Sequence, residues 1–223
     1  MRENHISVRK TARYYTLGDP RGDSVAEVWF VCHGYGQIAG RFIRHFAPLD
    51  DGRRLIVAPE ALNRYYLDPV TVSSASRRVG ATWMTREDRL AEIDDYVRYL
   101  DDLHAHVLAE LDAPDVAVHV LGFSQGVATV CRWVTSGAAR VDRLTLYAGP
   151  IPPEMDLATH APTFRRMQLS MVLGTRDEMA SRAGVEEQEA LLRAHDIPFR
   201  YVTFDGGHGI TAEALASLTS ASR

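Results

Sequence analysis

The chain alternates between short apolar runs and longer stretches whose apolar positions recur every three or four residues. "VAEVWFVC" (Val25 to Cys32) and "RLIVAP" (Arg54 to Pro59) read as buried strands, the second closed by its proline. A glycine-rich turn follows the first of them and leads into an expected helix near Gly40 to Leu49. The clearest helix begins after Thr85, where Leu90, Ile93, Val97, Leu100, His104, Val107 and Leu111 share one face. Thr85 with Asp88 three residues on has the form of an N-cap pair, and Pro114 marks the exit. "VAVHVLG" is the next expected strand, and Val127, Val130, Cys131 and Val134 give the helix after it an inward stripe. Further strands are expected at Arg143 to Gly149, Gln168 to Gly174 and Phe199 to Phe204. Helices are expected over about Ser181 to His195 and Thr211 to Leu218.

Strands alternating with helices imply an α/β fold with a mostly parallel sheet covered on both faces. No repeat and no low-complexity block interrupts the pattern, and 223 residues suit one domain spanning 1–223. In such sheets chemistry gathers beyond the carboxyl ends of the strands, so the turns there deserve the search.

Composition changes the picture only by exclusion. With 46% hydrophobic and 24% charged residues the chain can build a packed core. A net charge of −4 gives no reason to expect nucleic acid or an anionic membrane as partner. Cys32 and Cys131, both in apolar surroundings, read as buried free thiols. No signal-peptide core and no apolar window of spanning length is present, so a soluble cytoplasmic protein is the default expectation.

The strand "VAVHVLG" runs into Gly122–Phe123–Ser124–Gln125–Gly126, a G-x-S-x-G pattern between a strand and a helix. That is the context of a nucleophile elbow: the glycines permit a sharp turn that leaves the serine Oγ exposed above the sheet. The helix N-terminus behind it favours negative charge developing nearby. The bland alternative is small-residue packing at a tight strand-to-helix crossing.

A serine hydroxyl needs a base, and the base needs an orienting carboxylate. Of nine histidines, His208 in "FDGGHGI" follows a strand end on a glycine-rich loop, the position a proton-shuttling imidazole requires. His119, inside a strand, reads as a satisfied core residue. In sheets carrying this elbow the chain order is Ser, acid, His, which selects Asp177 in "MVLGTRDEM". Its competitors are Glu178, which would point elsewhere, and Asp205, which reads as a turn residue three positions from His208. Two backbone donors for an oxyanion complete the set: the N–H of Tyr35 in "HGYGQ" and that of Gln125 after the serine. His33 would brace the first of these loops by hydrogen bonding without titrating.

Together, "HGYGQ", "LGFSQGVA", "LGTRDE" and "DGGHGI" resemble the phospholipase/carboxylesterase group of the α/β-hydrolase superfamily, which includes the acyl-protein thioesterases. The resemblance runs from Val28 to about Ile210. It implies an α/β-hydrolase fold and a small, cofactor- and metal-free serine esterase, and no stretch of the chain is long enough for a large cap domain. Ser124, Asp177 and His208 would be its triad, with Tyr35 and Gln125 as oxyanion donors. Family members often have aspartate where Gln37 stands, and a D-x-x-V-P segment where this chain reads "DEMAS".

The expected partner is a small acyl ester. The long connection from Pro59 to Thr85 carries Tyr65, Tyr66, Trp83 and Met84; Trp83 and Met84 are taken as substrate-binding, against the alternative that these aromatics form an auxiliary core. The proline-rich "GPIPPEMDLATHAPTF" would supply a stiff rim. The expectation is an open or lightly covered site for short- to medium-chain esters. Thioesterase, lysophospholipase, acyltransferase or peptidase chemistry on the same triad stands as an alternative, and a non-catalytic binding protein as a remoter one.

Overall fold

The computed structural model describes residues 1–20, 25–111 and 115–219; the expected helix exit at Pro114 lies outside these. Seven strands form one sheet in the order β1-β3-β2-β6-β7-β8-β9. They are β1 (Tyr14–Leu17), β2 (Glu27–Cys32), β3 (Arg54–Pro59), β6 (Ala117–Phe123), β7 (Arg143–Tyr147), β8 (Gln168–Gly174) and β9 (Phe199–Phe204). Every pairing is parallel except β1 with β3, so the sheet is mostly parallel with one antiparallel edge.

Alternation along the central strands divides the core in two. Val28, Phe30 and Cys32 of β2 and Val118 and Val120 of β6 face one side. Trp29 and Val31 of β2 and Leu121 and Phe123 of β6 face the other. Helices α2 (Arg89–Glu110), α3 (Gln125–Ser136), α4 (Leu157–Arg165) and α5 (Arg182–Ala194) contribute to the first layer. The short α1 (Ala39–Phe42) and α6 (Ala212–Thr219) contribute to the second.

Several expectations need correction. The helix expected near Gly40 to Leu49 is a four-residue α1 followed by a 3-10 turn over Ile43–Leu49 with Pro48 inside it. Proline supplies no N–H and crowds the preceding turn, so a regular helix does not propagate there. The α2 stripe holds from Ile93 onward, but Leu90 is 70% exposed and stands off the core. The Thr85–Asp88 pair does not cap α2. Asp88 sits in the left-handed region with no side-chain capping bond, and its carboxylate accepts from His5 at 3.0 Å. It is Glu92 that reaches back, accepting the Thr85 N–H at 2.5 Å.

Three elements had no sequence expectation. Edge strand β1 is four residues long, and α4 carries Pro162 in its interior while Asp156 caps it through the Ala158 and Thr159 N–H groups. The third is a hairpin, β4 (Asn63–Tyr66) with β5 (Val79–Thr82), inside the long connection from Pro59 to Thr85.

His119 is a core residue, as its strand position implied, but not the fully satisfied one expected, since its buried Nδ1 has no hydrogen-bond partner among the described residues. Its Nε2 lies 2.8 Å from Thr145 Oγ1, and its ring packs on Trp29 at 3.6 Å between centroids. Burial first, then the Arg143 and Arg54 charges, push the imidazole down to about 3. The unfolded chain therefore binds this proton from about pH 6.5 downward while the folded chain refuses it. This contribution is fully present above about pH 6.5 and is lost as pH falls toward 3, at up to about 1.4 kcal/mol per pH unit. Urea denaturation at pH 7, 6 and 5 should show that slope reduced by about one proton in His119→Gln; an unchanged slope would rule the account out.

Candidate active site

The loops at the carboxyl ends of β2, β6, β8 and β9 converge, and β6 delivers the central residue. Ser124 sits between β6 and α3 with φ 54° and ψ −117°, a conformation that costs a non-glycine residue about 1–3 kcal/mol. Neighbouring contacts hold it there. A Cβ on Gly122 would lie 2.3 Å from the Gly126 carbonyl oxygen, and one on Gly126 would lie 2.3 Å from that of Cys32. The elbow glycines thus serve close packing and the sharp turn together: α3 starts so near β2 and β6 that no side chain fits between.

His208 comes from the loop after β9 and Asp177 from the loop after β8. Ser124 Oγ is 3.0 Å from His208 Nε2, and His208 Nδ1 is 2.9 Å from Asp177 Oδ2. The Asp177 side chain is 1% exposed and His208's is 26% exposed, so the relay runs from a buried carboxylate to an accessible hydroxyl. Asp177 Oδ1 also accepts the Met179 N–H at 2.9 Å, which fixes the carboxylate plane. An ionised carboxylate only accepts, so Nδ1 carries the imidazole proton and Nε2 presents a lone pair to the serine. Glu178 is exposed, and Asp205 is engaged at the surface with Arg176.

The "HGYGQ" loop lies against the elbow: a Cβ on Gly34 would meet Ser124 Cβ at 3.2 Å. His33 is fully buried beneath it. Its Nδ1 donates to the Gly34 carbonyl at 2.8 Å, while its Nε2 accepts the Ala61 N–H at 3.1 Å. These partners require the neutral tautomer, and burial lowers the pKa against the opposing effects of Gly34 and Glu60. The Gly34 carbonyl belongs to the same peptide as the Tyr35 N–H, so a planar trans peptide turns that N–H away from His33. Gln37 Oε1 accepts the Gly34 N–H at 2.8 Å from the other end of the loop. Among the described residues, neither the Tyr35 nor the Gln125 N–H has a protein acceptor.

Of the two residues expected to touch substrate, Trp83 is placed otherwise. Trp83 is 1% exposed, and its Nε1 donates to the His33 carbonyl at 2.8 Å. The hairpin tucks this indole under the loop, so Trp83 belongs to the core and does not line the cleft. Met84 is half-buried, with its sulfur 3.4 Å from Arg132 Nη1 and its carbonyl engaged by Thr82 and Gln125. The aromatic surface beside the cleft is instead Tyr35, 62% exposed, whose ring packs on Tyr65 at 5.4 Å.

A cavity of about 200 Å³ opens between the sheet and the first turns of α5. Its walls include Gly149, Pro150, Met171, Met179, Val185 and Tyr201. Gly149 adjoins the elbow, since a Cβ there would lie 2.5 Å from the Ser124 carbonyl oxygen. The sequence hid this pocket because Met171 and Tyr201 are strand residues and Val185 a helix residue, each readable as core. Among the described residues one cluster, Glu3, His5 and Asp88, has metal-ligand spacing; it is exposed and shares no residue with the site. No helix among them is long and apolar enough to cross a membrane.

The sequence matches no protein-family model and no curated protein. Similarity appears in three dimensions. A carboxylesterase from Mesorhizobium loti superposes with a TM-score of 0.69 at 17% identity, covering 93% of this chain and 92% of that one. Acyl-protein thioesterase 2 of Zea mays gives 0.67 at 15% identity, covering 93% and 96%. A phospholipase/carboxylesterase from Dyadobacter fermentans gives 0.62 at 16% identity, covering 95% and 96%. With its strand order, elbow and strand-end loops, the chain has the α/β-hydrolase fold.

Proposed function

We propose that this protein is a serine hydrolase of short- to medium-chain carboxylic esters. The observation that carries the reading is the unbroken relay Ser124 Oγ–His208 Nε2 and His208 Nδ1–Asp177, at 3.0 and 2.9 Å, on a strained elbow. Ser124 Oγ attacks the ester carbonyl carbon as His208 Nε2 takes its proton, and Asp177 stabilises the imidazolium. The carbonyl oxygen becomes an oxyanion held by the Tyr35 N–H of the loop after β2 and the Gln125 N–H at the α3 N-terminus. His208 returns the proton to the leaving alcohol, leaving an acyl-Ser124. Water, deprotonated by His208, then releases the acid. Neither a cofactor nor a metal is needed for these steps.

The cavity under α5 suits the acyl chain, because its wall residue Gly149 packs against the Ser124 backbone and Met171, Met179 and Val185 give it an apolar side. Each buried methylene should add about 0.8 kcal/mol, or about fourfold in kcat/KM, until the pocket is full. The test is fluorophosphonate labelling with the modified residue located by mass spectrometry, then a p-nitrophenyl ester series from acetate upward. Labelling at Ser124 and a rise that breaks at a defined length are expected. Val185→Phe, which fills the cavity, should move the break to shorter chains. An unlabelled Ser124 with no ester turnover would sink the reading.

Thioester hydrolysis is the second reading, favoured by the likeness to the Zea mays acyl-protein thioesterase. Matched ester and thioester substrates of one acyl chain separate the two.

A further inference from the structure

The two oxyanion donors sit on separate elements, the loop after β2 and the first turn of α3, and something must set the distance between them. The Gln125 side chain leaves the elbow and crosses to the end of the hairpin. Its Nε2 donates to Thr82 Oγ1 at 2.9 Å and to the Met84 carbonyl at 3.1 Å, while its Oε1 accepts the Trp83 N–H at 3.3 Å. The same short segment grips the other donor's loop. The Gly36 N–H donates to the Ala81 carbonyl at 2.9 Å, the Ala81 N–H donates to the Gln37 carbonyl at 3.0 Å, and Trp83 Nε1 holds the His33 carbonyl. Gly80 lets β5 and the loop after β2 meet this closely, since a Cβ there would lie 2.5 Å from the Gly36 carbonyl oxygen.

We infer that Gln125 is a positioning residue through its side chain as well as a donor through its backbone: residues 80–84 form a spacer, and the Gln125 amide pins the elbow to it so that both N–H groups converge on one oxygen. The role needs an amide. Glutamate keeps the acceptor but turns a carboxylate toward the Met84 carbonyl, and methionine matches the shape while losing every bond. The hairpin is therefore part of the oxyanion hole's frame, although none of its side chains reaches the reacting atoms. This assignment rests on the ester-hydrolase reading and names what keeps that site in register.

Because the oxyanion exists only after attack, loosening its donors should act on kcat and leave ground-state binding nearly untouched. The experiment compares the parent, Gln125→Met and Thr82→Val in turnover of p-nitrophenyl butyrate, inhibition by an alkylboronic acid that forms a tetrahedral adduct on Ser124, and thermal unfolding. Removing one oxyanion donor outright costs about 10²–10³ in kcat elsewhere, so displacing one should cost about 10- to 100-fold. Gln125→Met should lose that in kcat with KM within about threefold, and its boronate affinity should fall in parallel. Thr82→Val, which removes one arm of the clamp, should lose less in the same pattern. If Gln125→Met retains kcat within about twofold, or the loss lies wholly in KM, the inference is overturned. If that variant does not fold, Thr82→Val decides by the same criteria. An inert parent overturns the ester-hydrolase reading together with this inference, whereas an active parent with an unaffected Gln125→Met overturns this inference alone.

Discussion

Ser124→Ala is expected to lower kcat for p-nitrophenyl ester hydrolysis by about a million-fold while leaving the thermal transition in place. The size follows from the group removed: without Oγ no acyl-enzyme forms, and only the oxyanion donors and binding remain to favour attack by water. Stability should hold because the Ser124 side chain makes no capping bond to α3, and alanine has the same Cβ at the same backbone angles. His208→Ala should cost nearly as much, and the double variant scarcely more than either alone, since the three groups act as one unit. Multiplicative losses would mean that Ser124 and His208 work independently, which the 3.0 Å contact contradicts. Turnover retained in Ser124→Ala would remove the serine from the chemistry altogether.

The residues of this relay were legible in the sequence because each sits just past a strand whose apolar run is unmistakable. "VAVHVLG", "QLSMVLG" and "FRYVTF" end on the same side of a parallel sheet, so Ser124, Asp177 and His208 had to emerge at one rim. His33 was legible from its place at the start of the glycine loop, which it braces through its bond to the Gly34 carbonyl. Two of the unforeseen elements are short. Strand β1 and hairpin strands β4 and β5 have four residues each, too few for a period to register, and their pairing partners lie on other segments.

What the sequence misassigned on the substrate side is Trp83, and the reason is tertiary. Trp83 and Met84 follow a strand that could equally open onto solvent or fold back; the two backbone bonds from Ala81 to the "HGYGQ" loop decide for folding back. The cavity under α5 arises because that helix buries little beyond Leu192, leaving its first turns lifted from the sheet. A helix that stands off leaves the same apolar strand pattern as one that packs closely, so periodicity along β8 and β9 carries no trace of the gap. The Gln125 amide escaped for a related reason: its partners are three consecutive residues about forty positions upstream, joined to it only by the hairpin's return.

Gly126→Ala should damage stability and turnover together, and the proportion between them reports how tightly the elbow is held. Gly126 has no positive φ, so alanine brings no backbone strain. The cost is steric: the new Cβ would stand 2.3 Å from the Cys32 carbonyl oxygen and 2.9 Å from that of His33. Both are backbone atoms, one at the end of central strand β2 and one in the residue after it, and cannot swing aside as a side chain can. Helix α3 must retreat, yet Gly122 and Gly149 pack against the first turn from the sheet side with comparable closeness. Overpacking of this kind typically costs about 1–3 kcal/mol. In a chain of this length that corresponds to about 2–4 °C of Tm per kcal/mol. Gly209→Ala, where a Cβ would meet nothing within 4 Å, should leave the Tm unchanged. The retreat also carries the Gln125 N–H away from the Tyr35 N–H, and a misplacement of about 1 Å can cost 10²-fold in rate. Thermal unfolding and steady-state kinetics on Gly126→Ala measure both effects. A variant with full kcat and an unshifted Tm would mean that α3 moves at the elbow without cost, against the close contacts around Gly122, Gly126 and Gly149.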